Sequence, residues 1–228
     1  MKRSLINSYI RETEIFLEKT QFALPPFSFW TAEDWSNKGL EYNEIINNQL
    51  GWDLTDFGRG DFENCGLLLF TIRNGNVKKP YGKSYAEKIL IVKQNQITPF
   101  HFHKSKMEDI INRTGTGCLK VQLYHSLNDK TLDKYSDVPV SVDGRNFTVK
   151  AGAVISLKKG ESITLQQGIF HQFWTEDEML LLGEVSMVNN DHRDNFFCEN
   201  IGRFPVIEED EKPYRLLVGD YKKYLKNN

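Results

Sequence analysis

From Leu67 onward the chain breaks into short runs rich in β-branched and aromatic residues, and this constrains its fold more than any other feature. The runs are Leu67 to Arg73, Ala86 to Lys93, Thr98 to His103, Cys118 to Tyr124, Ser141 to Val149, Ala153 to Leu157, Ser162 to Leu165, Phe170 to Thr175 and Leu180 to Val185. Turn residues divide them, notably at Asn74-Gly75, Gln94-Asn95-Gln96, Asp143-Gly144 and Lys159-Gly160. Many short strands with no intervening helical pattern predict an antiparallel sandwich or barrel rather than βαβ units.

The first 66 residues read differently. Leu5, Ile6, Tyr9, Ile10, Thr13, Phe16 and Leu17 recur at helical spacing behind Ser4, a candidate N-cap, so the first twenty residues predict an amphipathic helix. Thr31 with Asp34 three residues on has the form of a capping box, and the helix it opens is expected to run to about Leu50. Gly58, Gly60 and Gly66 among aspartates mark Gly51 to Gly66 as a loop. The expected organisation is a helical N-terminal extension, residues 1–66, packed on a β-barrel of residues 67–228 that ends in a loop and a short helix over Asp220 to Leu225.

Lys plus Arg number 29 and Asp plus Glu 31, and a net charge of -2 offers no electrostatic attraction to nucleic acid or an anionic membrane. A small polar partner suits it better. Cys65, Cys118 and Cys198 are odd in number and lack CxxC spacing, against a disulfide framework or a thiolate metal site. No apolar run approaches the roughly 20 residues of a membrane span. Polar residues interrupt the N-terminus before any run of signal-peptide length. The expectation is a soluble, cytoplasmic protein.

The chemistry concentrates in Thr98-Pro-Phe-His-Phe-His-Lys-Ser-Lys-Met-Glu108. In extended backbone, His101 and His103 point to one side, because strand side chains alternate. Glu108 follows in reach, and two imidazoles with a carboxylate suit a divalent metal. His125 has no partner at ligand spacing, and His192 lies in a polar run, Asn189 to Asn195, that reads as a solvated loop.

His101, His103, Glu108 and Gly115, followed by Gly160, Gln166, Gly168 and His171, resemble the two signature motifs of the cupin superfamily, double-sheet jelly-roll barrels. Gln166 stands where proline is usual and Thr175 where asparagine is usual. By that resemblance, His101, His103, Glu108 and His171 hold one divalent metal inside the barrel. Three imidazoles and one carboxylate leave two positions open in an octahedral shell, suiting Mn²⁺, Fe²⁺, Co²⁺ or Ni²⁺ better than structural zinc.

The resemblance narrows further. Tyr85-Ala-Glu-Lys-Ile-Leu-Ile-Val-Lys93, the run from His101 to Arg113, Gly183-Glu-Val-Ser-Met-Val-Asn-Asn-Asp191, Asp194-Asn-Phe-Phe197 and Gly202 to Asp210 are similar to the D-lyxose ketol-isomerase family of cupins. It implies reversible conversion of D-lyxose to D-xylulose, often of D-mannose to D-fructose, with Mn²⁺ preferred, and a homodimer. An enediol route needs one base near C1 and C2. Glu184 interrupts the apolar run Met179 to Val185, where a carboxylate needs either a partner or a task, so it is expected to be that base or a salt-bridged structural group. Lys106 and Lys88 are candidates to stabilise the enediolate or bind hydroxyls, or else extend to solvent. Asp191 and Asp194 are candidate hydroxyl acceptors. A cupin dioxygenase and a sugar-binding cupin without turnover remain alternatives.

Overall fold

The computed structural model describes residues 1–79, 82–128, 131–190, 193–202 and 205–224. Helix α1 spans Arg3–Lys19, α2 Ala32–Ser36 and α3 Asn43–Asn47. Strands follow: β1 Gly51–Thr55, β2 Leu67–Arg73, β3 Tyr85–Val92, β4 Thr98–Phe102, β5 Glu108–Asn112, β6 Leu119–Asn128, β7 Thr131–Asp133, β8 Val138–Val142, β9 Arg145–Val149, β10 Val154–Leu157, β11 Ser162–Leu165, β12 Ile169–Thr175, β13 Leu180–Met187 and β14 Phe196–Phe197. Helix α4, Tyr221–Tyr224, closes the described chain.

The strands form two antiparallel sheets, one in the order β1-β2-β3-β13-β5-β11-β8-β9 and the other β10-β6-β12-β4-β14, with β7 beside β6. This is the mainly β, double-sheet barrel expected. Leu67, Leu69, Leu90, Val92, Leu180 and Leu182 of the larger sheet join Val121, Leu123 and Phe173 of the smaller one in a shared core. The residues between them point the other way. Leu68, Phe70, Ile89, Ile91 and Leu181 pack instead with Ile6, Ile10 and Leu17 of α1. With both faces covered, β2 and β3 read as near-continuous apolar runs, and α1 is the layer that covers the outer face.

Three expectations need correction. Gly51–Thr55 is a strand rather than loop, pairing with β2 from Gly51↔Thr71 to Thr55↔Leu67. Its alternation is carried by Trp52 and Leu54, which join the α1 cluster. The capping box at Thr31 and Asp34 is present, but α2 stops at Ser36. Gly39 is extended there, and a 3₁₀ turn over Leu40–Tyr42 restarts the helical path into α3. Ser4 does not cap α1, whose first residue is Arg3; its hydroxyl and N–H both donate to Asp210.

The C-terminal segment is held onto α1 by Arg3, which is fully buried and donates to both oxygens of Asp220 and both of Glu209. Among the described residues, no helix is long and apolar enough to cross a membrane.

Candidate active site

Strands β4 and β12 are neighbours, and His101 lies directly opposite His171 in their ladder. Opposed residues share a face, so the two rings meet, with centroids 4.1 Å apart. His103 follows the end of β4, its ring centroid 5.4 Å from that of His101 and 5.7 Å from that of His171. Glu108 comes from the opposite sheet as the first residue of β5. One sheet therefore supplies the imidazoles and the other the carboxylate.

Each ring is held by its Nδ1 on a main-chain carbonyl: His101 on Pro99 at 2.8 Å, His103 on Asp194 at 2.7 Å and His171 on Ile169 at 3.0 Å. A carbonyl only accepts, so Nδ1 carries a hydrogen and Nε2 is the nitrogen turned toward the cluster, the one a neutral ring offers to a metal. One ligand atom from each of the four residues lies within 4.8 Å of the others, and all four side chains are buried. Glu108 Oε1 stands 3.4 Å from His103 Nε2 and 3.3 Å from His171 Nε2, yet His171 Nε2 has no hydrogen-bond partner. Burial, with His171 and His103 alongside, holds the His101 imidazole well below its ordinary pKa. Burial opposes ionisation of Glu108, but the Lys106 ammonium and then His103 outweigh it and hold the carboxyl well below the usual range. Three imidazole nitrogens and one carboxylate, converged and buried, with His171 Nε2 lacking a hydrogen-bond partner, fit a divalent cation.

Beside this cluster lies a second, ionic one. On β13, Ser186 opposes Glu108 of β5, while Glu184, two residues earlier, opposes Ile110 on β5 and Lys88 on β3. Period-two alternation puts Glu184, Ser186 and Glu108 on one face. Lys88 Nζ is 3.1 Å from Glu184 Oε1, and Lys106 Nζ is 2.9 Å from the same oxygen and 2.6 Å from Glu108 Oε2. Ser186 Oγ also donates to Glu184, at 3.2 Å, and Lys106 donates to Asn189 at 3.2 Å. Lys88 and Lys106 are thus buried in ion pairs and do not extend to solvent.

Residues of both clusters line a cavity of about 50 Å³. His101, His103, Lys88, Lys106, Glu108 and Glu184 form its polar side, and Phe57, Leu69, Leu90, Phe173 and Phe197 an apolar wall. A polyhydroxylated chain would find donors, acceptors and a metal-ligand set on one side and dry packing on the other.

Asp194 takes a different place from the one expected. Its carboxylate accepts the main-chain N–H groups of Lys104 and Ser105 on Oδ1 and of Lys106 on Oδ2. With three donors on it, it anchors the turn that carries Lys106, and it is not among the residues lining the cavity. Asp191 and His192 lie outside the described residues. His125 is half-buried on β6 and takes no part in the ligand cluster. Thr55, Thr98 and Asn195 also line the cavity and were not anticipated. Pro99 was the one available signal, since proline inside a paired strand marks an edge or an irregularity.

The D-lyxose isomerase family model matches residues 1–221. The D-lyxose/D-mannose isomerase of Escherichia coli O157:H7 is 43% identical over 229 residues, covering 98% of this chain and 100% of that protein. The Serratia proteamaculans protein of the same name is 42% identical over 231 residues, covering 99% and 100%. Among solved structures, Cellulomonas parahominis L-ribose isomerase with L-ribose superposes with a TM-score of 0.60, covering 91% of this chain and 98% of that one. At 15% identity that likeness is one of fold.

Proposed function

The chain belongs to the D-lyxose isomerase family and is a sugar isomerase, and from that premise we propose that it interconverts D-lyxose with D-xylulose, and D-mannose with D-fructose. The observation that carries the reading is the position of Glu184, a buried carboxylate lining the same cavity as the histidine and glutamate cluster. His101, His103, Glu108 and His171 would hold the metal. A divalent cation there, Mn²⁺ for preference and Co²⁺, Ni²⁺ or Fe²⁺ otherwise, supplies Lewis-acid polarisation of adjacent carbonyl and hydroxyl oxygens.

Aldose–ketose exchange moves one proton between C2 and C1 and one between their oxygens. Glu184 takes the proton from C2 of the open-chain aldose, leaving an enediolate with its charge on O1; the O2 proton passes to O1, and Glu184 returns its own proton to C1 as the carbonyl forms at C2. Lys106 and Lys88 fix the carboxylate from two sides, so the base is oriented before the sugar arrives. Lys106 also holds Glu108, coupling the base to the ligand set through one ammonium. The two lysines balance the two carboxylates, so negative charge developing on the sugar oxygens enters a site without net negative charge. A cytoplasmic setting and a pair of identical chains belong to the same proposal, on composition and on the family resemblance respectively.

The reading is tested on a panel of pentoses and hexoses with Mn²⁺. Turnover of D-lyxose and D-mannose, abolished by chelation and restored by Mn²⁺, is the expected result. Turnover that survives complete metal removal would contradict it.

A further inference from the structure

We infer that Thr98 binds a hydroxyl of the sugar chain beyond the two reacting carbons and so contributes to substrate selection, an assignment that rests on the isomerase reading above. Simple alternation from His101 would turn Thr98 away from the cavity, because the two are three positions apart. The ladder between β4 and β12 is irregular, however: His171 pairs with His101, but Phe173, two residues on, pairs with Thr98, three residues back. The extra residue on β4 is a bulge, and bulges re-aim side chains beside functional sites. Pro99 sits within it, where its missing N–H is tolerated although β4 is paired on both sides. Thr98 thereby shares the face of Phe173 and lines the cavity together with His101.

Thr98 is 2% exposed, and its Oγ1 has no hydrogen-bond partner. Thr175 Oγ1 is also unpaired, but Thr175 does not line the cavity. A hydroxyl offers one donor and two acceptor positions, the complement of a sugar hydroxyl. Bond formation with substrate would satisfy a group that the free protein leaves unpaired. The metal-ligand cluster and Glu184 claim the C1 and C2 end, so the group that reaches Thr98 belongs to C3, C4 or C5 of the pentose.

The test compares wild type, Thr98→Val and Thr98→Ser on D-lyxose and its 3-, 4- and 5-deoxy forms, in the Mn²⁺ enzyme. Thr98→Val is expected to lower kcat/KM for D-lyxose about three- to tenfold, the loss of one neutral hydrogen bond, mainly through KM. Thr98→Ser is expected to retain it. Wild type should discriminate against all three deoxy sugars, and Thr98→Val should erase the discrimination for one of them only. Melting of the sugar-free Thr98→Val protein should be no lower than wild type. Should that variant fail to fold, Thr98→Ala takes its place in the same comparison. Unchanged kinetics in Thr98→Val, an equal loss on all the deoxy sugars, or a Thr98→Ser variant as impaired as Thr98→Val would overturn the assignment while leaving the isomerase reading standing. A wild type that turns over neither D-lyxose nor D-mannose would overturn both.

Discussion

Lys88 and Glu184 face each other across adjacent strands, with Lys88 Nζ 3.1 Å from the carboxylate and both side chains buried. The contact is a cross-strand pair inside a barrel, where removing one charge leaves the other without water to replace it. Glu184 keeps Lys106 when Lys88 is lost, so the damage is partial. Lys88→Met is expected to lower stability by about 2–3 kcal/mol, below the full cost of breaking an isolated buried pair. Its kcat should fall more than its KM rises if the group disturbed, Glu184, is the proposed base. Denaturant titration and steady-state kinetics on the same preparation check both.

Asp194 offers a different kind of test, since its side chain anchors a turn and its carbonyl holds the His103 ring. Asp194→Ala removes the acceptor for Lys104, Ser105 and Lys106 N–H groups, and so loosens the chain between His103 and Glu108. Loss of such supporting bonds around a metal site costs about 10–100-fold in metal affinity. Direct titration of the metal-free variant with Mn²⁺ is expected to show a weakening in that range. An affinity equal to wild type would remove Asp194 from the support of the site.

The acid limb of stability has an identifiable contributor far from the cavity. Hydrogen bonding from Arg3, and then from Lys223, overcomes partial burial and brings the Glu209 carboxyl from an ordinary 4.5 down to about 2. A carboxyl with a depressed folded-state pKa stabilises the fold above its unfolded value and loses that contribution as pH falls toward the folded one. Between pH 4.5 and 2 the wild type is therefore expected to lose more stability than Glu209→Gln. Denaturant midpoints of the two proteins, measured across that interval, should converge at the acid end.

The convergence of His101, His103 and His171 was legible because its signals are local: His101 and His103 lie two apart in extended chain, and the motif around His171 carries its own glycines. The strand that bears Glu108 was not. Glu-Asp-Ile-Ile-Asn begins with two carboxylates, and its place between β13 and β11 depends on long-range pairing that no window of sequence contains. The same holds for the ionic cluster. Lys88, Lys106 and Glu184 could be named as candidates, but their common meeting point follows from the β3–β13–β5 register. At the other end of the chain, the capping box at Thr31 was readable because it spans four residues. The length of the helix it opens was not, since Gly39 and the packing of Trp35 against Tyr221 decide where the chain turns. Thr98 shows the limit most plainly. A period-two reading assigns it to the wrong face, and only the bulge beside Pro99 brings it round.

The proposed division of roles gives Glu184 the proton and His101, His103, Glu108 and His171 the metal. It is tested most directly by Glu184→Gln, assayed with Mn²⁺ for D-lyxose turnover and for exchange of the C2 hydrogen in heavy water, with bound metal measured on the same sample. Metal content is expected to equal wild type, with turnover and exchange both reduced by about 10²–10⁴-fold, the usual contribution of a positioned base. Full exchange at wild-type rate in the metal-loaded variant would contradict it.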